Sequence, residues 1–413
     1  MRVAYMTGQY PRATDTFIQR EVAALRDRGV EVHTFSVRRP GDEQIVGPEQ
    51  KAERDNTFYI LPVSPIALIV AHLNLLFSNP LSYLRALRLA WATRQPTLKG
   101  WLYQTFYFAE AGILAHQIRK RQVQHLHNHL GDSSCSVSML ASVMGGFTFS
   151  FTLHGPTIFF EPQRWRLDEK LQRSLFVSCI SHFCRSQAMI FSQPDRWSRL
   201  HIVHCGIDPH LFEPVKHQGP GKRLLFTGRL APVKGLRILL ESLVALKTAF
   251  PNVELIVIGD GADREALENR VRQLGLQNHV KFVGYQSQRE VRDYLQTTDV
   301  FVLPSFAEGV PVSLMEAMAA GVPVVTTRIA GVGELVEDWV NGYLVPPGDV
   351  TCLTDRIAVL LADGELRSKF GTAGRLKVEK EFNIQHEAGW LCQVMTSALA
   401  GTVEAIRPDD GKI

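Results

Sequence analysis

A chain of 413 residues that is 45% apolar and 21% charged has the make-up of an ordinary globular protein with room for two or three cores, which excludes fibrous and disordered classes. Its net charge is only +4, the basic excess lies wholly in residues 1–214, and no recognised nucleic-acid motif accompanies it, so no nucleic acid is expected as a partner. The six cysteines show no C-x-x-C pair or zinc spacing, which predicts reduced, mostly buried thiols in a cytoplasmic protein.

Residues 3–7 read as a buried strand running into the polar loop from Gly8 to Thr16, and helical periodicity over 17–28 stops at Gly29. With a second strand over 31–37 this is the βαβ opening of a doubly wound domain. The first run is too short for a secretory signal, and no G-x-G-x-x-G follows it, so a nicotinamide cofactor is not indicated there. Thr14 or Asp15 is placed to cap the helix.

Residues 39–56 are polar and turn-rich and are expected as a mobile loop. Residues 60–77 form the most apolar long stretch, but Pro62, Pro65, His72 and Asn74 interrupt it. A spanning helix needs about 20 mainly apolar residues, so a buried or interfacial segment is expected instead. Arg85, Arg88, Arg94 and Lys99 are interleaved with Trp91, Trp101, Tyr103, Phe106 and Tyr107. Two readings stay open: packed amphipathic helices with solvated arginines, or a surface for anionic lipid head groups or a pyrophosphate-bearing acceptor.

Residues 123–130 are expected as a strand with His125, His127 and His129 on one face. Alternate histidines can chelate, but the remaining ligands and their supporting partners are not identifiable in the sequence, and no metal is expected. A further buried strand over 147–153 delivers His154 to its carboxyl end, where open α/β sheets place ligands. A lone histidine is more often structural. Another strand follows over 176–181.

In the second half, residues 222–230 form a strand entering the loop that leads to a helix over 236–250, so Arg229 and Lys234 share one strand-to-helix loop. Two fixed cations beside free helix amides suit a diphosphate; the plain alternative is a pair of solvated loop cations. Strands over 253–259, 280–284, 299–303 and 322–326, alternating with helices, predict a second parallel sheet. Tyr285 follows the second of these, as a neighbour for a nucleotide base or as a rim aromatic. Residues 304–311 are a tight loop, and the helix over 312–320 ends at Gly321, which places Glu308 on the loop and Glu316 on the helix. Carboxylates accept hydrogen bonds from sugar or ribose hydroxyls, and the Gly309 and Val310 amides can approach such a ligand.

The glutamate pair with seven residues between, set in EGVP and EAMAAGVPVV, resembles the donor-site signature of retaining glycosyltransferases of family 4, as do GRL...KG and NGYLVPPGD. QYPRATDTFIQREV, HNHLG and the TLHG around His154 resemble segments of the family-4 enzymes that build extracellular polysaccharides, including those of colanic-acid type. Asp15 stands where that subgroup commonly has Glu, and Leu130 where it has Phe. The HCGID segment with Phe212 resembles the end of the first domain.

The resemblance implies the GT-B architecture, two Rossmann-like doubly wound domains facing across a cleft. The acceptor-binding domain is expected over 1–214, a linker over 215–221, the nucleotide-sugar domain over 222–382, and a C-terminal helix with a frayed tail over 383–413, which in one reading crosses back to the first domain. It further implies metal-independent transfer of a hexosyl group with retention, from a nucleotide sugar to a glycan or lipid-linked glycan, with no cofactor. Arg229 and Lys234 would hold the diphosphate, Glu316 the ribose, and Glu308 with the Gly309 and Val310 amides the sugar, joined by His154. Gly8 and Asp15 would lie on the acceptor side. A cytoplasmic enzyme of extracellular polysaccharide synthesis, peripheral on an anionic membrane in one reading, is the expectation; a non-catalytic two-domain binder of sugar or nucleotide is the alternative.

Overall fold

The computed structural model describes residues 1–217, 219–402 and 407. The first half contributes seven strands: β1 (Arg2–Gln9), β2 (Glu31–Arg38), β3 (Phe58–Leu61), β4 (His125–His129), β5 (Thr148–Leu153), β6 (Val177–Cys179) and β7 (Leu200–Ile202), of which β4 is buried throughout although it alternates histidine with Leu126 and Asn128. They form one parallel sheet in the order β3-β2-β1-β4-β5-β6-β7. Val3 of β1 sits opposite Val32 of β2 on one side and His125 of β4 on the other, so the strand order reverses between β1 and β4. Helix α1 (Thr16–Asp27) buries Ile18, Val22 and Leu25 on one stripe and ends before Gly29, which takes a φ of +78°.

The polar stretch 39–56 is not a mobile loop. Its second part is the helix α2 (Pro48–Asn56), opened by a proline in its first turn. Gln50 Nε2 donates to Gln19 Oε1 of α1 at 3.0 Å, and Tyr10 Oη donates to Glu53 at 3.1 Å, so polar contacts hold it where apolar periodicity is lacking. Three helices follow: α3 (Pro65–Ser78), α4 (Pro80–Thr93) and α5 (Leu98–Lys120). Although α3 is nearly all apolar, it buries only Ala71 and Leu75. Among the described residues no single helix is long and apolar enough to cross a membrane; α3 and α4 reach that length only as a pair bent by 118°. Arg94 lies over the rings of Trp91 and Trp101, at 4.8 and 4.5 Å from their centroids. Helix α6 (Ser133–Gly145) then packs on α5 and β4.

The second sheet comprises β8 (Arg223–Thr227), β9 (Glu254–Ile258), β10 (Val280–Gly284), β11 (Val300–Leu303), β12 (Val324–Thr327) and β13 (Gly342–Val345), all parallel in the order β10-β9-β8-β11-β12-β13. Its reversal lies between β8 and β11. The expected α/β class with two doubly wound parallel sheets is therefore what the chain adopts.

Two compact units result, residues 1–203 with the segment from 386 onward, and residues 204–385. The first unit ends before the expected residue 214 because the intervening segment is bonded into the second unit. Ile207 N–H donates to the Phe382 carbonyl at 2.9 Å and Val215 N–H to that of Ala320 at 2.8 Å. The expected linker 215–221 is tied down as well, with His217 Nε2 2.9 Å from the Gly321 carbonyl and Gly221 N–H donating to Leu361 at 2.8 Å; Gln218 lies outside the described residues. In the C-terminal helix Ile384–Ala400, Trp390 Nε1–H donates to the Ile202 carbonyl at 2.9 Å. The polar end expected to fray lies outside the described residues.

Candidate functional site

Ligands of open α/β sheets bind outside the carboxyl ends of the strands, where the strand order reverses. In the second unit that point brings together the loops after β8 and β11. The Lys234 loop turns tightly at Gly235, whose φ is +65°, and a Cβ there would overlap the Pro304 carbonyl; only glycine lets the two loops close on each other. Phe306 N–H then donates to the Val233 carbonyl at 2.7 Å. The result is a node of side chains. Lys234 Nζ donates to Glu308 Oε1 at 2.6 Å, and Ser305 Oγ donates to the same oxygen at 2.7 Å. Thr327 Oγ of β12 in turn donates to the Ser305 carbonyl at 2.5 Å and fixes the loop from below.

Glu308 is 9% exposed, and its second oxygen carries no hydrogen bond among the described residues, so an acceptor is left for a ligand hydroxyl. Arg229 is exposed and forms no ion pair among the described residues. Glu316 is half-buried on the helix Val312–Ala319, Gly309 is half-buried, and Val310 is buried. Tyr285 is half-buried after β10, and its hydroxyl makes a long hydrogen bond, 3.4 Å, to the Asp260 carbonyl. Arg229, Lys234, Glu308, Gly309 and Val310 thus lie on two loops that meet, with Glu316 on the helix leaving the second. A cation cluster beside a pre-held carboxylate is suited to anchor a diphosphate and a hydroxyl-bearing group together.

In the first unit the reversal between β1 and β4 gathers a different set. His125, His127 and His129 project from one face of β4 and are fully buried. Against them β5 presents Thr148, Ser150 and Thr152 in the same register. His125 spans the Thr148 and Ser150 hydroxyls at 2.8 and 2.6 Å, and His127 spans those of Ser150 and Thr152 at 2.7 and 2.8 Å. Burial pushes the His125 imidazole down to about 3 and holds His127 well below the ordinary value, so both rings are neutral.

His129 continues the series differently. The Glu21 carboxylate accepts from Tyr5 Oη at 2.7 Å and from His129 Nε2 at 3.1 Å, and His129 Nδ1 lies 2.7 Å from His154 Nε2. His129 thus turns Nε2 to the Glu21 carboxylate and Nδ1 to His154, and the pair of contacts fixes the orientation of both rings. Burial, aided by the His129 ring, keeps His154 well below the usual imidazole range, hence neutral. His154 is therefore an oriented, uncharged imidazole at the end of β5. Ligand atoms of Glu21, His127 and His129 lie within 4.8 Å of one another, but the ring nitrogens are already committed to hydrogen bonds.

Asp15 is buried and stands at the N-cap position of α1, yet its side chain makes no cap hydrogen bond; it is held instead by Arg12, whose Nε and Nη2 donate at 2.6 and 3.1 Å. Gly8 and Asp15 line one cavity, described below. Sequence reasoning passed over Ser305, Glu21 and Lys170. The last is fully buried, with Nζ donating to the Gly131 and Asp132 carbonyls at 2.7 and 2.8 Å, so an ammonium fixes the loop after β4 even though burial lowers it to about 8. Only Ser305, three residues before a motif glutamate, left a signal in the sequence.

The fold is that of GT-B glycosyltransferases. The structure overlays that of HepE from Anabaena, solved in complex with UDP, with a TM-score of 0.70 over 96% of this chain and 100% of that one at 17% identity. Against sucrose-phosphate synthase from Thermosynechococcus elongatus the TM-score is 0.72 over 97% and 100% at 21% identity. Residues 209–377 match the family described as glycosyl transferases group 1. Sequence kinship runs to glycosyltransferases of exopolysaccharide type: the amylovoran biosynthesis glycosyltransferase AmsK of Erwinia amylovora is 37% identical over 201 residues, 46% of this chain and 48% of that one. The phosphatidyl-myo-inositol mannosyltransferase of Mycobacterium leprae is 34% identical over 162 residues, 39% and 42% of the two chains. The chain spans about half the length of the curated relatives it matches.

Proposed function

We propose that this protein transfers a hexosyl group, with retention of configuration, from a nucleotide sugar to a glycan or lipid-linked glycan in extracellular polysaccharide synthesis. The observation that carries the proposal is the Lys234–Glu308–Ser305 node, with Arg229 exposed on the Lys234 loop, inside the segment that matches glycosyl transferases group 1. Arg229 and Lys234 take the diphosphate and offset the charge that grows on it as the sugar departs. Glu308, freed from Lys234 as the phosphates arrive, accepts from sugar hydroxyls through both oxygens, with the Gly309 and Val310 amides beside it. Glu316 receives the ribose, and Tyr285 flanks the base. His154, neutral and held by His129, supplies an oriented polar group to the sugar. The departing phosphate takes the proton of the acceptor hydroxyl, so no enzyme nucleophile and no metal enters the chemistry. A cytoplasmic protein that works at the membrane surface fits this role. The UDP complex of HepE and the exopolysaccharide relatives support this reading.

The test is a thermal-shift panel of UDP, GDP, ADP and their hexose conjugates in the presence of a chelator, since selective binding stabilises the folded state by mass action. One nucleotide should stabilise the protein, and Lys234→Ala should diminish the shift. Failure of every nucleotide, or an undiminished shift in the variant, would contradict the proposal.

A further inference from the structure

The first unit holds a cavity of about 680 Å³, within the range of small-molecule sites. Its floor is the strand ends at Gly8, Val37 and Ile60, and its wall is Leu68 of α3 with Phe106 and Ile113 of α5. Most of this lining is apolar. Its polar groups gather at the carboxyl ends of the strands, where Arg12, Asp15, Arg38 and Asp132 mix donors and acceptors as a hydroxyl-bearing head requires. Glu110, also in the wall, is pushed up to about 7 by burial, so it is only partly ionised near neutrality.

Two features identify the class of ligand. Tyr103 and Phe106 line the cavity and are also about half exposed, so the cavity wall passes without a break into the outer surface of α5. Beside it, α3 exposes Ile66, Ile69, Val70, Leu73 and Phe77, although Leu68 of the same helix lines the cavity. An apolar chamber with a polar end on the sheet and an apolar exit over helices suits neither a free sugar nor a nucleotide. Gly8 is what keeps the chamber open: a Cβ there would meet nothing within 4 Å, so any larger side chain would grow into the space.

We infer that this cavity is the acceptor site and that the acceptor is an amphiphile, with its saccharide at the strand ends and its apolar chain running past Phe106 along α3. The word acceptor rests on the transferase reading; the amphiphile site does not, and it is tested without any nucleotide.

Butyl, octyl and dodecyl glucoside, each below its micelle-forming concentration, are titrated into the full-length protein by calorimetry. Affinity should rise about fourfold per buried methylene until the cavity is full, from the transfer free energy of a CH₂ group. Gly8→Leu, which occupies the cavity, and Phe106→Asp, which charges its exit without touching the core, should each flatten that rise while the unfolding temperature holds. Affinity independent of chain length, or an unchanged slope in Gly8→Leu, would overturn the inference; the latter would mean that chains merely coat the outer helices. If chain-length dependence is found but no nucleotide binds the second unit, the transferase reading falls and the amphiphile site stands.

Discussion

The two reversals of strand order, β1/β4 and β8/β11, are the same topological device with opposite linings. At β8/β11 charge is concentrated and paired: Lys234 on Glu308, with Arg229 exposed beside them. At β1/β4 charge is kept to one end: His125 and His127 are neutral, Glu110 is pushed toward neutrality, and the adjoining cavity is mostly apolar, with Arg12, Asp15, Arg38 and Asp132 at the strand ends. Sheet topology thus fixes where a ligand meets the chain, and the loops and flanking helices decide which chemistry it must carry.

The contrast breaks most readily in acid. His125 keeps a value near 3 in the folded state against 6.5 when unfolded, so between those values the unfolded chain binds more protons. Stability is complete above 6.5 and should fall by several kcal/mol as the pH drops toward 3, with His127 and His154 adding to the loss. Denaturant midpoints across that range check this; a flat profile would mean that the ladder admits charge. Next, Glu308→Ala should lower turnover at least about a hundredfold, read as release of the nucleoside diphosphate, while the unfolding temperature changes little. Near-normal turnover would remove Glu308 from the chemistry. The smallest effect concerns Glu110, whose value is about 7 when folded against 4.5 unfolded, so the folded state binds more protons in between and stability declines as pH rises through that window. Glu110→Gln should gain no more than about 3 kcal/mol above pH 7 and nothing below 4.5. A gain independent of pH would point to packing instead.

Much of this was legible in the sequence. Buried strands with glycine-ended helices announced both sheets, and Glu308, Lys234 and His154 were marked by motif. The pairing of Lys234 with Glu308 was not, because 74 residues separate them and only the adjacency of β8 and β11 brings their loops together. The histidine ladder was half visible: alternation on β4 was plain, but the hydroxyls of Thr148, Ser150 and Thr152 answer it only once β4 and β5 are in register. Helix α2 escaped because it buries one side chain, Gln50, and so has no apolar period. The cavity escaped because it depends on how α3 and α5 stand over the sheet, which no local pattern specifies. In the mixed basic and aromatic run Arg94 covers two tryptophans, while Tyr103 and Phe106 remain half exposed, a division that the interleaving of residue types does not specify.

The central claim, that the two reversal points bind different halves of the reaction, is tested most directly by calorimetry on wild type, Lys234→Ala and Gly8→Leu, each titrated with the stabilising nucleoside diphosphate and with octyl glucoside. The account predicts that Lys234→Ala weakens nucleotide binding about ten- to a hundredfold and leaves the glucoside untouched, while Gly8→Leu does the reverse. Loss of both ligands in either folded variant, or of neither, would contradict it.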